Sequence, residues 1–320
     1  MSLVVEGLHK RFGDVKALDG VSFTVEPGRI FGLLGANGAG KTTCMRIVLD
    51  ILRADEGTVT WQGVEHIALP RRTWGYLPEE RGLYPKMKVA EQLRFFAALY
   101  GVSDADASAE IDEWLERFRI PDYRDRRAEE LSKGNQQKIQ FIAAVLHDPD
   151  VMIMDEPFTG LDPINVRLLK EAFLTMRDRG KTLIFSTHQM ETVEELCESI
   201  AIVDQGRVVV HGSVRDVRRA MGRRVLRLAT DGDGQFIEGL SALDGITIGL
   251  RRADFVELHL PPSFDPDTIL RAALDQGRRV TRFEIAEPSL EEVFIEHVGR
   301  RAVDEDEEHL AASTREGSAA

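Results

Sequence analysis

Short β-branched runs at residues 3–5, 21–25 and 30–34 alternate with turn signals at the start of the chain, Gly13-Asp14, Asp19-Gly20 and Pro27-Gly28. This spacing predicts a small sheet leading into the glycine-rich stretch at 35–40. A helix is expected from Lys41, because Met45, Val48, Leu49 and Leu52 recur at three- and four-residue steps, and strands are expected near 58–61 and 73–77. From 89 to about 146 the period is helical almost throughout. Leu93, Phe96, Ala97 and Tyr100 form one stripe, Ile111, Leu115 and Phe118 a second, and Ile139, Ile142, Ala143 and Leu146 a third. The pattern is that of a helical insertion, about residues 84–148, within an α/β chain.

Nearly all-apolar strands then alternate with helices: strand 151–154, helix 166–179, strand 182–186, helix 190–196, strand 200–203. Such alternation predicts a parallel sheet covered on both faces. A strand at 207–210 and a helix at 214–221 complete a first domain, 1–221, with a joint at Gly222-Arg223-Arg224. Beyond it the pattern reads strand 225–229, helix 236–243, strands 246–250 and 255–260, helix 268–276 and strand 280–286. That βαββαβ order is the ferredoxin-like arrangement of a small α+β domain, 222–300. Ser289 and Glu292 have capping-box spacing for a last helix to about 298. The segment 301–320 reads as an acidic, disordered tail, and from Ala302 on it carries −5 of the chain's formal −13.

Composition narrows the function classes. With 54 acidic against 41 basic residues, no general basic surface is available for nucleic acid, and none is expected as a partner. Apolar runs such as 141–146 fall far short of the ~18 residues a membrane span needs. The first residues lack a basic segment followed by an apolar stretch, and the two cysteines have neither metal-ligand nor disulfide spacing, so a cytoplasmic setting is expected.

Gly35-Ala36-Asn37-Gly38-Ala39-Gly40-Lys41-Thr42 fits the pattern G-x-x-x-x-G-K-S/T between an expected strand and an expected helix. Glycines let the backbone wrap a phosphate with its N–H groups, Lys41 reaches the outer phosphates, and the Thr42 hydroxyl suits Mg²⁺. The competing reading is a strand-to-helix turn with no ligand. The apolar strand at 151–154 ends in Asp155 and Glu156, at the edge of a parallel sheet where ligands bind. Asp155 is expected to hold Mg²⁺, and Glu156 to orient an attacking water and take its proton. Two solvated acids at a strand end are the alternative. Cys44 lies just inside the following helix, where the helix N-terminus lowers a thiol pKa; otherwise it is a small packing residue.

Together these segments resemble the nucleotide-binding subunit of an ATP-binding cassette (ABC) transporter. Leu131-Ser132-Lys133-Gly134-Asn135-Gln136-Gln137 resembles the family signature LSGGQ, with Lys133 and Asn135 departing from it. Thr159-Gly160-Leu161-Asp162 resembles the D-loop, and His188, after Ser186-Thr187, the switch histidine. The resemblance implies a P-loop ABC ATPase fold with an antiparallel β subdomain, a parallel core sheet and a helical subdomain. It implies ATP and Mg²⁺ as cofactors, held by Gly35, Asn37, Gly38, Gly40, Lys41, Thr42 and Thr43. Ser132, Gly134, Gln136 and Asp162 would contact ATP across a homodimer. Phe12 stands where an aromatic stacks on adenine; the competing reading is a core phenylalanine. Glu79 occupies the glutamine position of the Q-loop, where a carboxylate accepts but cannot donate; contact with nucleotide and Mg²⁺ is still implied.

The segment 77–85, the signature and the closing 287–294 run resemble the subgroup serving sodium-export and daunorubicin-export type transporters. This implies an ATPase, catalysed by Glu156, His188 and Lys41, on the cytoplasmic face of the cell membrane and driving a separate permease, in the direction of export. A non-transport ABC ATPase, or a regulatory ATPase acting on a soluble assembly, is the rival reading.

Overall fold

A computed structural model of the chain describes residues 2–80, 82–222, 224–231, 235–240, 245–252, 254–261 and 263–299. The tail read at 301–320, Arg223 of the expected joint and the end of the helix expected over 236–243 lie outside the described residues. Contacts divide the chain into two compact units after Ser213.

In the first unit, β1 (Leu3–Phe12) and β2 (Val15–Val25) form a hairpin across the Gly13-Asp14 turn, with Phe12 opposite Val15. Both strands run beyond their apolar cores, because antiparallel backbone pairing carries polar residues along with it. After β3 (Ile30–Leu34) and α1 (Lys41–Val48), β4 (Glu56–Trp61) pairs with β1 and the short β5 (Val64–Glu65) closes a sheet of order β2-β1-β4-β5. Next come β6 (Trp74–Leu77) and three helices, α2 (Val89–Leu99), α3 (Asp104–Arg117) and α4 (Lys133–Val145). The chain then returns through β7 (Val151–Asp155), α5 (Pro163–Asp178), β8 (Thr182–Thr187), α6 (Met190–Leu196), β9 (Ser199–Asp204) and β10 (Arg207–Ser213). Helix α5 starts earlier than the apolar pattern predicts because Asp162 caps it and Pro163 fills its first position.

The second sheet has the order β10-β9-β3-β8-β7-β6, parallel except for the edge strand β10. Its central strands β3, β7 and β8 are buried along their whole length because both faces are covered. Cys44, Met45, Ile47 and Val48 of α1 share one core with Leu3, Val5 and Val21 of the antiparallel sheet and Phe31, Leu33, Val151 and Ile153 of the parallel one. A chain of aromatic contacts ties the helical segment to the sheet. Trp114 and Phe118 pack on Phe141 of α4, Phe141 stacks on Phe173 of α5, and Phe173 meets Phe158 and Phe185 at centroid distances of 5.0 and 5.7 Å.

The second unit opens with α7 (Val214–Ala220), ahead of the joint expected at Gly222. The reason is packing: Arg218 donates to the carbonyls of Pro288 and Glu287, and Arg219 pairs with Glu287. Then follow β11 (Arg224–Thr230), α8 (Gln235–Leu240), β12 (Thr247–Arg251), β13 (Val256–Leu260), α9 (Asp267–Asp275), β14 (Val280–Ala286) and α10 (Leu290–Phe294). The antiparallel order β12-β13-β11-β14 is that of a ferredoxin-like sheet, with Phe236, Leu240, Ile269 and Ala273 of its helices packed on Leu226, Leu228, Leu258 and Leu260. The capping box forms: Ser289 Oγ accepts from Glu292 N, and Glu292 accepts from Ser289 N.

Phe173 is the junction of the aromatic chain, so Phe173→Ala should destabilise the first unit by about 3–5 kcal/mol. The urea midpoint of that unit's transition reads the loss; an unchanged midpoint would remove Phe173 from its place in the core.

Candidate functional site

Strand β3 is buried along its whole length and ends at Leu34, where the chain leaves the sheet as a tight loop. Two glycines make the loop possible. A Cβ on Gly35 would stand 2.4 Å from the Val203 carbonyl oxygen, and one on Gly40, at φ 108°, 2.5 Å from that of Ala17. Helix α1 starts at the next residue, Lys41, so the free N–H groups of its first turn face the loop's hollow. Among the described residues, a cleft of about 320 Å³ opens there, lined by Asn37, Gly38, Gly40, Lys41, Thr42 and Thr43. Asp155 and Glu156 at the end of β7, Glu79 beyond β6, and Val15, Lys16 and Ala17 of the first hairpin complete the wall.

Lys41 is only 6% exposed; its Nζ donates to the carbonyls of Gly35 at 2.8 Å and Ala36 at 3.1 Å. Burial pushes its pKa below the usual lysine value, opposed by the charges of Glu156, Asp155 and Glu79. One hydroxyl fixes the two acids of β7. Ser186 Oγ on the neighbouring strand donates to Asp155 Oδ1 and accepts from the Glu156 N–H at 3.0 Å. Glu156 turns the chain with a left-handed φ of 46°, which swings its side chain out of the strand's alternation and towards the cleft. Its Oε1 lies 3.0 Å from His188 Nδ1 and 4.0 Å from Lys41 Nζ, and its Oε2 accepts from Thr159 Oγ1 at 3.1 Å. A carboxylate only accepts, so Nδ1 of His188 is the donor of this contact, from a side chain 53% exposed.

The donors suit a nucleotide polyphosphate and a divalent ion: glycine-loop N–H groups, a buried ammonium, the Thr42 hydroxyl and carboxylates. Among the described residues, no three His, Cys, Asp or Glu side chains stand together to hold a metal unaided. Mg²⁺ here would draw on Thr42, Asp155 and Glu79 together with phosphate oxygens and water.

Other expected residues lie apart from the cleft lining. Gly35 is the crowded exit from β3, set against the Val203 carbonyl. Phe12 is 50% exposed with Lys10 Nζ 5.7 Å from its ring centre, which removes the core reading. Ser132 caps α4, its Oγ accepting from Asn135 N at 3.3 Å. Gln136 donates to the Ala128 carbonyl at 2.9 Å, and a Cβ on Gly134 would meet Asn165 Nδ2 at 2.6 Å. Asp162 caps α5, and the Asn165 backbone N–H holds its carboxyl below the usual range. Of the two readings of Cys44 the structure supports the packing residue: it is 1% exposed, and burial pushes its thiol up to about 12. The apolar core around α1 outweighs the helix N-terminus.

Sequence reasoning missed Val15, Lys16 and Ala17. They reach the cleft because the hairpin docks on the β9–β10 turn, Asp19 N donating to the Gly206 carbonyl at 2.8 Å. No local motif signals that contact.

Two family models match the chain: "ABC transporter" over residues 18–159, and "ATP-binding protein DrrA1-3-like, C-terminal domain" over 212–298. The uncharacterized ABC transporter ATP-binding protein YhaQ of Bacillus subtilis (strain 168) is 46% identical over 301 residues, 93% of this chain and 98% of its own length. Nod factor export ATP-binding protein I of Burkholderia thailandensis is 32% identical over 93% of this chain and 97% of its own. Among solved structures, an ATP-binding subunit of an ABC transporter superposes with a TM-score of 0.65 at 32% identity, covering 69% of this chain and 94% of its own.

Neither thiol is accessible, so a thiol reagent at pH 8 should label neither Cys44 nor Cys197 in the folded protein and both after unfolding. Rapid labelling of Cys44 in the native chain would contradict its burial.

Proposed function

The chain belongs to the family of ABC transporter ATP-binding proteins, and from that premise we propose that it is the motor subunit of an exporter, driving a separate membrane permease through ATP-dependent closure of a dimer. As a member of the family it binds and hydrolyses ATP. The observation that carries the finer reading is the placement of Glu156, directed into the phosphate cleft with His188 and Lys41 on the same carboxylate oxygen.

In this reading the loop N–H groups and Lys41 hold the outer phosphates, and their charge favours the more negative transition state. Glu156 accepts a proton from the attacking water, and His188, through Nε2, helps to orient it. Mg²⁺, when bound, neutralises phosphate charge. Ser132 and Gly134 lie outside the lining of their own chain's cleft. In a head-to-tail pair of copies they would reach the partner's ATP, with Gln136 and Asp162 in the same seam. Phe12, exposed at the end of the first hairpin, would stack on the adenine. The first unit is the motor and the second an accessory domain. Among the described residues no helix is long and apolar enough to cross a membrane, so the motor would sit on the cytoplasmic face, held by the permease. Export is supported by the printed function of the Nod factor relative.

Glu156→Gln should retain ATP binding, trap the ATP-bound dimer, and lower turnover by about 10²–10⁴-fold. Turnover at the wild-type rate would refute the general-base assignment. The same variant, tagged and solubilised from membranes with ATP and Mg²⁺, should co-purify with a polytopic membrane protein in stoichiometric amount. Recovery of ribosomes or soluble proteins alone would favour a non-transport ATPase.

A further inference from the structure

Helix α4 holds both loops that bring carboxylates to the cleft. Gln137 Nε2 donates to the carbonyl of Pro157, the residue after Glu156, at 3.2 Å. One turn on, Gln140 Nε2 donates to the carbonyl of Pro78 at 3.2 Å and to that of Glu80 at 3.0 Å. Those carbonyls bracket Glu79, which lines the cleft. Residues three apart share a helix face, so the two amides work from one side of α4. Gln140 is 5% exposed, and both of its N–H donors are spent on this pair of carbonyls. Among the described residues its Oε1 is buried without a partner, which a residue present only for packing would avoid by being apolar. Gly75 in β6 presses against α4, where a Cβ would stand 2.6 Å from the Ala144 carbonyl, so helix and strand approach closely just before the bracketed turn.

We infer that Gln140 is a positioning residue that fixes the backbone on either side of Glu79 and so holds that carboxylate at the phosphate cleft. The inference rests on the proposal that the cleft binds ATP with Mg²⁺. Gln140 touches neither; it acts through Glu79. Because α4 is also capped by Ser132, the same amide makes the position of Glu79 depend on the position of the signature segment.

The test measures how binding of a fluorescent, non-hydrolysable ATP analogue depends on Mg²⁺ concentration, in the full chain and in Gln140→Leu, Glu79→Gln and the double variant. Leu keeps the volume and removes the donors. Gln140→Glu, an acceptor of similar shape, serves as a second probe should the leucine variant fail to fold. Loss of a residue that orients a metal-site carboxylate is expected to raise the Mg²⁺ concentration for half-maximal binding roughly ten- to hundredfold. The double variant should be no worse than the more affected single one, since both changes remove the same interaction. Wild-type Mg²⁺ dependence in both Gln140 variants would overturn the inference, as would independent, multiplying factors in the double variant. Absence of Mg²⁺-dependent binding in the wild-type chain would instead overturn the proposed function and this inference with it.

Discussion

Lys41 carries its charge at the floor of a cleft beside three carboxylates, and an ammonium so far from water is tolerated only with its partners in place. That requirement governs the parallel sheet. Register sets Leu34 of β3 beside Thr187 of β8, Ser186 beside Asp155 of β7, and Met154 beside Leu77 of β6. Adjacent strands therefore end level, and the loops leaving them deliver the ammonium, the acids and the histidine to one edge. A slip of one residue between β7 and β8 would reverse the faces of the two strands relative to each other and take Ser186 away from both acids. The geometry of the cleft is thus a consequence of strand register.

The second constraint is mechanical. Helix α4 is held by aromatic rings on one side and by glutamine amides on another, so it is tied both to the helices' core and to the loops leaving the sheet. Buried Lys138 adds to this, donating to the Phe118 carbonyl at the end of α3, although burial pushes its pKa down. A charge at a helix C-terminus is favourable, and here it closes the last turn of α3. The helical segment and the cleft therefore share a continuous framework from Trp114 to Phe185, with α4 as its middle member.

The sequence shows the cleft where the chemistry is contiguous. The glycine loop, Lys41 and Thr42 form one unbroken pattern, and Asp155 and Glu156 end an apolar run, so strand and site appear together. The βαββαβ order was legible because its strands and helices are short and separately patterned. What escaped is non-local. Val15 to Ala17 reach the cleft through docking on Gly206, and Gln140 lies outside the apolar stripe of Ile139, Ile142, Ala143 and Leu146, with no local pattern to mark it. The left-handed turn at Glu156 has no glycine to announce it. Cys44 shows why a local rule about helix N-termini is weak by itself: the surrounding core decides the thiol's ionisation, and the packing reading holds. The joint at Gly222 looked right by composition, yet Arg218 and Arg219 commit α7 to the second unit.

Charge at the cleft leads to the oligomeric reading by a separate route. The lining sets Lys16 and Lys41 against Asp155, Glu156 and Glu79, so it begins with an excess of negative charge before any polyphosphate enters. Carboxylates this close repel phosphate unless positive charge is brought in with it. Within one chain, the N-terminus of α1 and a divalent ion supply part of that charge. In the proposed dimer the N-terminus of the partner's α4, capped by a serine and led by a lysine, supplies more without adding a carboxylate. An excess of acid in each half-site would then serve a purpose in the proposed cycle: MgATP bound between the two copies would offset it, and once the γ-phosphoryl group has passed to water and phosphate and Mg²⁺ have left, the uncompensated acids would favour separation.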